Sequence, residues 1–200
     1  MNTEILEDDV KLHCREDGIF KQEWQTVRGF TYTNYSIYPH NHYFYEMNIV
    51  MGGSGTHRIG ENSVSVRSGD VFVIPPMTVH SYDNTEDLEV YHVILKSAAV
   101  REKREDSAAI PGFFQLMEIE PFLRSNRSET AFLHLTPSQL SQIKEELRFI
   151  QAGGEFDREC YASLQEHTVW KMIYYLSHLL HEQINGEKRA NTAKYQPHYK

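Results

Sequence analysis

The sequence predicts a mainly β domain, a sandwich or barrel, followed by an antiparallel helical pair. Three observations carry that expectation. From Phe30 to Leu95, short aromatic and β-branched runs are punctuated by Gly/Asn/Asp turn segments at close spacing. From Thr136, a helix-start signal is followed by apolar residues at 3-4-3 spacing. From about Asp157 to Ile184, a second helical pattern is apolar on more than one side.

In chain order, residues 1–29 are weakly patterned and read as an N-terminal arm. The barrel is expected over 30–96, with strands in Tyr43–Met51, Thr56–Ile59, Ser63–Val66, Val71–Ile74, Val79–Tyr82 and Leu88–Leu95. Gly52-Gly53-Ser54-Gly55, Gly60-Glu61-Asn62 and Ser68-Gly69-Asp70 separate them. The glycine-rich stretch joins two strands instead of opening a helix, so it is not a phosphate loop. A helical dimerisation element spans 97–185. Within it, Ser97–Ala109 reads as a charged, alanine-rich loop and Pro111–Leu123 as a short helix. Thr136-Pro137-Ser138-Gln139 sets Thr as N-cap, Pro at the first helical position and Gln where it closes a capping box. Leu140, Ile143, Leu147 and Ile150 then form a row that reads as a dimer seam or as packing onto the second helix. Gly153-Gly154 ends that helix. The second helix has Tyr161, Leu164, Met172, Tyr175, Leu176 and Leu179 on one side and Val169, Ile173, Leu180 and Ile184 on another, so it needs two partners. Residues 186–200 are polar and read as a linker or tail.

Charge and composition exclude several roles. With 20 Lys+Arg against 28 Asp+Glu the chain carries a net charge of −8, which is unsuited to gripping a polyanion. Arg101–Arg104 is interrupted by Glu102 and reads as a solvated loop. No apolar run reaches the roughly 20 residues of a membrane helix. The acidic start lacks signal-peptide order, so a cytoplasmic location is expected. Cys14 and Cys160 match no metal spacing and read as reduced, structural thiols.

The chemistry concentrates in His40, His42, Glu46 and His80. In a strand, alternate residues share a face, so His40, His42 and Glu46 have one parity. A straight strand would nevertheless carry Glu46 about 13 Å beyond His42, at ~3.3 Å per residue. Metal bonds are about 2.0–2.2 Å, so convergence requires a bend near Tyr43-Phe44-Tyr45. His80 must come from an adjoining strand, and Pro75-Pro76 before it suits a strand break. Imidazole and carboxylate donors admit Zn²⁺, Ni²⁺, Fe²⁺ or Mn²⁺. The competing reading is a metal-free pocket whose polar residues bond to hydroxyls or to one another. Parity adds Phe44 and Asn48 to the His/Glu face and Tyr82 to that of His80. Trp24, Arg28 and Tyr32 are further ligand-binding candidates at the arm–barrel junction. Aromatic walls with a few polar groups suit a sugar. His57 and His92 read as surface or satisfied core residues. His178 and His181 read as a solvated helix face, and Asn185 stands where an HExxH motif would need its second histidine.

His40-x-His42-x3-Glu46-x5-Gly52 resembles the first cupin motif, and Gly69-x5-Pro75-x-Met77-x2-His80-x3-Asn84 resembles the second, with Met77 where the pattern usually has glycine. The resemblance implies a double-stranded β-helix barrel in which the three histidines and the glutamate bind a divalent metal. Together with the arm and helical pair, the stretch from His40 to Asn84 is similar to the sensor half of AraC-family transcription regulators, the rhamnose-operon type above all. That resemblance implies a small polar effector, a sugar above all, a homodimer and no enzymatic activity. It also implies DNA binding through a C-terminal helix-turn-helix domain, for which nothing after Gly186 provides. The chain would then be a sensor half or a stand-alone relative. The alternatives are a metal-dependent cupin enzyme, of the dioxygenase or isomerase class, and a regulator for which the ion itself is the signal.

Overall fold

Two long antiparallel strands organise the structure: β4 (Tyr45–Ile59) and β7 (His80–Leu95) pair from Tyr45↔Leu95 to Ile59↔His80. The chain is seen here as a computed structural model that describes residues 12–20, 23–33, 37–126, 132–151 and 158–194. The remaining strands are β1 (Leu12–Cys14), β2 (Val27–Thr33), β3 (Ile37–His42), β5 (Asn62–Arg67), β6 (Asp70–Ile74) and β8 (Leu133–His134).

Both long strands bend in the middle, and the bend makes two leaves from one sheet. Register shifts fall between Val50 and Thr56 of β4, where the glycine-rich sequence predicts a turn between separate strands. Extended pairing continues through this stretch because glycine tolerates the required geometry. Gly53 has φ +67°, and a Cβ there would overlap the Asp87 and Glu86 carbonyls. Opposite it, Asn84 and Asp87 take φ +48° and +47°, the left-handed region that short polar side chains tolerate best. One leaf runs β1-β3-β7-β4-β5 and uses the first part of β7 and the last part of β4. The other runs β2-β7-β4-β6-β8 and uses the complementary halves.

The helices are α1 (Glu16–Ile19), α2 (Ser97–Lys103), α3 (Glu120–Asn126), α4 (Pro137–Gln151) and α5 (Arg158–Lys194), with a π-helical turn over Gln115–Ile119 leading into α3. Of these, α4 and α5 cover the outer face of the second leaf. Met47, Ile49, Val71, Val73, Tyr91, Val93 and Leu95 point outward into one apolar core shared with α4 and α5. Val50, Phe72, Ile74, Tyr82, Leu88 and Val90 point between the leaves. Strands covered on both faces lose the apolar/polar alternation, as β6 shows in DVFVI.

Several expectations change. Ser97–Ala109 is not a loop: α2 and a 3-10 turn over Asp106–Ala109 occupy it, anchored by buried Ala99, Val100 and Ser107. Arg104 pairs with Glu118 at 2.8 Å. The barrel begins at Val27 and recruits β8 from the segment assigned to helices. The arm joins it too, since β1 pairs in parallel with β3. The capping box forms as expected: Gln139 N donates to Thr136 Oγ1 and Thr136 N to Gln139 Oε1. Helix α5 continues through Gly186 to Lys194, past the expected end at Ile184. Extension adds a hydrogen bond per residue, against about 1 kcal/mol lost at an interior glycine. The two apolar sides of α5 are met within the chain by α4, β2 and β8.

The proposed dimer row is consumed by the same core: Leu140, Ile143, Leu147 and Ile150 are 8, 1, 2 and 2 % exposed. A second copy cannot use that row without unpacking α4, so packing within the chain is what it does here. Cys160 is a free, exposed thiol, not a packed one. Gly153-Gly154, the chain start through Lys11, the tail from Tyr195 and the side chain of Cys14 lie outside the described residues. No described helix is long and apolar enough to cross a membrane.

Candidate functional site

Between the leaves, near one end, five imidazoles and a carboxylate are buried together. β3 supplies His40 and His42, β7 supplies His80 and His92, and β4 supplies Glu46 and His57; all are 5 % exposed or less. The required bend exists. β3 stops at His42, the chain turns through Tyr43-Phe44, and β4 starts at Tyr45. His42 Nε2 thereby comes within 3.5 Å of Glu46 Oε2. His80 arrives from the strand paired with β3, directly opposite His40.

The loop ahead of His80 explains the unusual Met77. Its φ is +63°, the conformation that glycine adopts without strain, and its N–H donates to the His42 carbonyl at 2.7 Å. The side chain is 51 % exposed and meets no steric demand of the core. Asn84 serves the bend in β7 through its backbone.

Donor atoms of His42, Glu46 and His80 all lie within 4.8 Å of one another. Donors bonded at about 2.0–2.2 Å would be separated by at most ~4.4 Å, so a small inward movement would close the set on an ion. His40 stands beside it, its ring 4.1 Å from that of His80 but 6.5 Å from that of His42. The tautomers fit a metal. His40, His42 and His80 each turn Nδ1 to a backbone carbonyl, of Tyr38, Phe44 and Thr78, at 3.1, 2.7 and 3.0 Å. A carbonyl only accepts, so each Nδ1 carries the proton and each Nε2 offers a lone pair. His42 Nε2 and His80 Nε2 are buried and make no hydrogen bond.

Electrostatics support the same protonation states. Burial lowers the pKa of His40 and His42 and holds that of His80 well below the ordinary value, against the pull of Glu46. Burial would raise the Glu46 carboxyl, but the neighbouring imidazoles, His92 first, outweigh it and hold the pKa well below the usual range. His92 Nδ1 donates to Glu46 Oε1 at 2.9 Å. Neutral His40, His42 and His80 beside an ionised Glu46 are what metal binding requires.

Sequence reasoning missed His92. On β7 it shares parity with the inward-facing Leu88, Val90 and Ile94, and counting from Leu88 would have found it. His57 is likewise interior, between the rings of Phe72 and Tyr82 at 4.7 and 4.8 Å. Of the other candidates, Asn48 and Tyr82 meet across the gap, Asn48 Nδ2 donating to the Tyr82 hydroxyl at 3.0 Å. Phe44 stacks on His42 with centroids 4.4 Å apart. Tyr32, 47 % exposed, stands edge-on to His92. Trp24 and Arg28 are elsewhere: they line a groove of about 560 Å³ against Ile150, Tyr161 and Gln165 of the helical layer. A polar cavity of about 660 Å³, with Asp70 and His134 in its wall, opens beside the bends of β4 and β7 and includes none of the cluster. His181 accepts from Asn185 along α5, with His178 exposed beside it.

Residues 26–166 match the family described as AraC-like ligand binding domain. The HTH-type transcriptional activator RhaR of Escherichia coli (strain K12) is 29 % identical over 104 residues, 52 % of this chain and 37 % of the activator. RhaR of Shigella flexneri serotype 5b matches to the same extent. The chain thus covers 37 % of the length of these curated relatives. Among solved structures, a Cupin 2 conserved barrel domain protein from Salinispora arenicola overlaps 44 % of this chain and 77 % of its own, at 23 % identity and a TM-score of 0.34. A cupin-2 domain containing protein from Shewanella frigidimarina overlaps 40 % and 89 %, at 18 % identity and a TM-score of 0.33. Overlaps of that size carry no functional argument, and the cupin architecture stands on the strand pairing.

Proposed function

The chain belongs to the family of AraC-like ligand binding domains, and from that premise we propose that it is the effector-sensing part of a transcription regulator. The barrel takes a small hydroxylated molecule, a sugar being the class to test first. His42, Glu46 and His80, with His40 alongside, hold one divalent transition metal, Zn²⁺, Ni²⁺, Fe²⁺ or Mn²⁺. When bound, that ion supplies a Lewis-acid anchor for an effector oxygen. His92 orients Glu46, and Asn48, Tyr82, Phe44 and Tyr32 line the space around it. The observation that carries this reading is the set of unsatisfied polar atoms inside the barrel, on His42, His80 and Asn48. A core built only for stability would fill that position with apolar side chains.

The arm offers a route for the signal. β1 pairs with β3 at Leu12↔His40 and Cys14↔His42, so it is hydrogen-bonded to the strand that carries two site histidines. An effector that binds better to one arrangement of β3 shifts the arm between docked and released states. In the intact regulator that shift would alter how a homodimer presents its DNA-binding domains. Its pairing surface is then a face other than the buried row of α4.

Elemental analysis of the purified chain, prepared without a metal-affinity tag, tests the metal. About one transition ion per chain is expected, lost in His42→Ala and His80→Ala. A metal-free folded chain would leave the residues as pocket lining. Limited proteolysis of the arm with and without a bound sugar tests the route; unchanged cleavage would sink it. The buried His/carboxylate set also suits a metal-dependent enzyme, and turnover of a small molecule that disappears in Glu46→Gln would favour that reading over a sensor.

A further inference from the structure

His57 is the one site histidine oriented by a cation instead of a carbonyl or carboxylate. Arg124, at the end of α3, is fully buried. Its Nη1 lies 3.5 Å from His57 Nδ1. The other guanidinium nitrogens are engaged: Nε donates to Glu120 Oε1 at 2.7 Å, and Nη2 to Glu120 Oε2 and the Val73 carbonyl. The guanidinium also sits over the Phe72 ring at 4.8 Å. It is therefore clamped on its remaining sides. A guanidinium only donates, so this contact favours His57 Nδ1 as the acceptor and the proton on Nε2.

This tautomer is opposite to that of His40, His42 and His80. Their Nε2 atoms offer lone pairs, whereas His57 Nε2 carries a hydrogen and has no lone pair for a metal. The Nε2 atom is nevertheless buried and makes no hydrogen bond. The ring is held between Phe72 and Tyr82 and lies 5.9 Å from that of His80. Nearby, Asn48 gives one of its two amide hydrogens to Tyr82 and leaves Oδ1 without a donor. The barrel interior thus presents an unanswered donor on His57 and an unanswered acceptor on Asn48 beside the candidate metal ligands.

We propose that Arg124 is a positioning residue that locks His57 as the Nε2–H tautomer, and that His57 is the donor that recognises a hydroxyl oxygen of a neutral polyhydroxylated effector. A hydroxyl both accepts and donates, so a ligand with neighbouring hydroxyls answers His57 and Asn48 together. A carboxylate would satisfy His57 and leave Asn48 Oδ1 facing an anion. The cation that backs His57 offers no net charge for an acid, because Glu120 already neutralises it. The inference rests on the effector-binding reading above and assigns its polar contact outside the metal set.

Nitrogen-15 NMR of the full chain labelled at histidine reads the tautomers directly, before any ligand is known. His57 is expected with protonated Nε2 and bare Nδ1, and His42 and His80 with the reverse. A His57 that carries its proton on Nδ1 would overturn the proposal. Removing both buried charges, as Arg124→Met with Glu120→Leu, should leave the circular dichroism folded and make the His57 tautomer mixed; an unchanged tautomer would remove Arg124 from the argument. Metal content should be the same in His57→Gln as in the unaltered chain, and a loss would make His57 a ligand instead of a donor.

The binding arm uses D-xylose, L-arabinose, D-glucose and L-rhamnose as neutral probes and D-gluconate as the acid. His57→Phe should weaken the best neutral probe by about tenfold or more. His57→Gln, whose amide can donate from a similar place, should lose far less. Equal binding by His57→Phe, or tighter binding of gluconate than of any neutral probe, would overturn the assignment. If none of the probes binds, the donor role for a sugar fails. Metal stoichiometry in the same preparation then judges the metal part of the functional reading separately.

Discussion

The two faces of the second leaf differ sharply, although the same strands build both. Met47, Ile49, Tyr91, Val93 and Leu95 point outward to α4 and α5 in an apolar core. Their sequence neighbours Glu46, Asn48 and His92 point inward as buried polar groups. The outer face stabilises the fold, at roughly 1.5–3 kcal/mol for each large apolar side chain fully buried. The inner face gives stability up, since a buried polar atom without a partner costs about 1–3 kcal/mol. The division shows where a binding protein keeps its strain: in the interior of the barrel, backed by a separate helical core that holds the strands in place.

The sharpest way to break this comparison is to truncate the outer core. Leu176→Ala, on the buried side of α5, should cost about 2–5 kcal/mol in chemical denaturation. His80→Leu on the inner face should cost less than that while abolishing the proposed metal binding. If the two variants lose equal stability, the division fails.

Acid should attack the inner face next. His57 and His80 have pKa values held well below 6.5, by burial first. The unfolded chain binds protons at about pH 6.5 while the folded chain does not. Stability of the metal-free chain is therefore fully present above that pH and falls below it, by about 1.4 kcal/mol per pH unit for each such imidazole. Glu46 works in the same direction at lower pH, because its depressed pKa stabilises only the ionised form. Thermal melts from pH 8 to pH 5 at fixed ionic strength would read the slope, and a flat profile would contradict neutral buried imidazoles.

A smaller effect should come from β2, where the outer face leaves no room. A Cβ on Gly29 would overlap the Tyr91 hydroxyl. That hydroxyl is buried without a hydrogen-bond partner, and burial pushes its pKa up. Gly29→Ala should destabilise by about 1–3 kcal/mol, and Tyr91→Phe should restore part of the loss in a double-mutant cycle. Smallest of all, Met77→Gly should stabilise by up to about 1 kcal/mol by relieving a positive φ, visible as a modest rise in Tm with metal content unchanged.

Much of this was legible in the sequence because it depends on local pattern. The capping box at Thr136 forms as read. The bend after His42 follows from the distance that a straight strand would impose. The inward parity of His42, Glu46 and Asn48 holds because no bulge interrupts the short stretch of β4 that carries the last two. Legibility ended where the inward face was interrupted. Alternation counted from His80 does arrive at His92, but positions 84 and 86 between them are exposed at the left-handed bend of Asn84 and Asp87, so the sequence alone offered no reason to carry the count across. The row of α4 illustrates another limit: 3-4-3 spacing establishes an apolar stripe, but not whether a sheet or a second subunit covers it.

By itself, then, the sequence determined the mainly β architecture, the helical pair and the His/Glu set. These rest on period-2 and 3.6-residue patterns, on capping chemistry and on ligand types, all of which act within a few residues. Only the tertiary structure decided that β4 and β7 run unbroken through their bends, that the α4 row belongs to the chain's own core, and that Arg124 reaches His57 across 67 positions of sequence. Those outcomes depend on which distant surfaces meet, and a hydrogen bond between two leaves or from a helix into a barrel leaves no periodic trace along the chain.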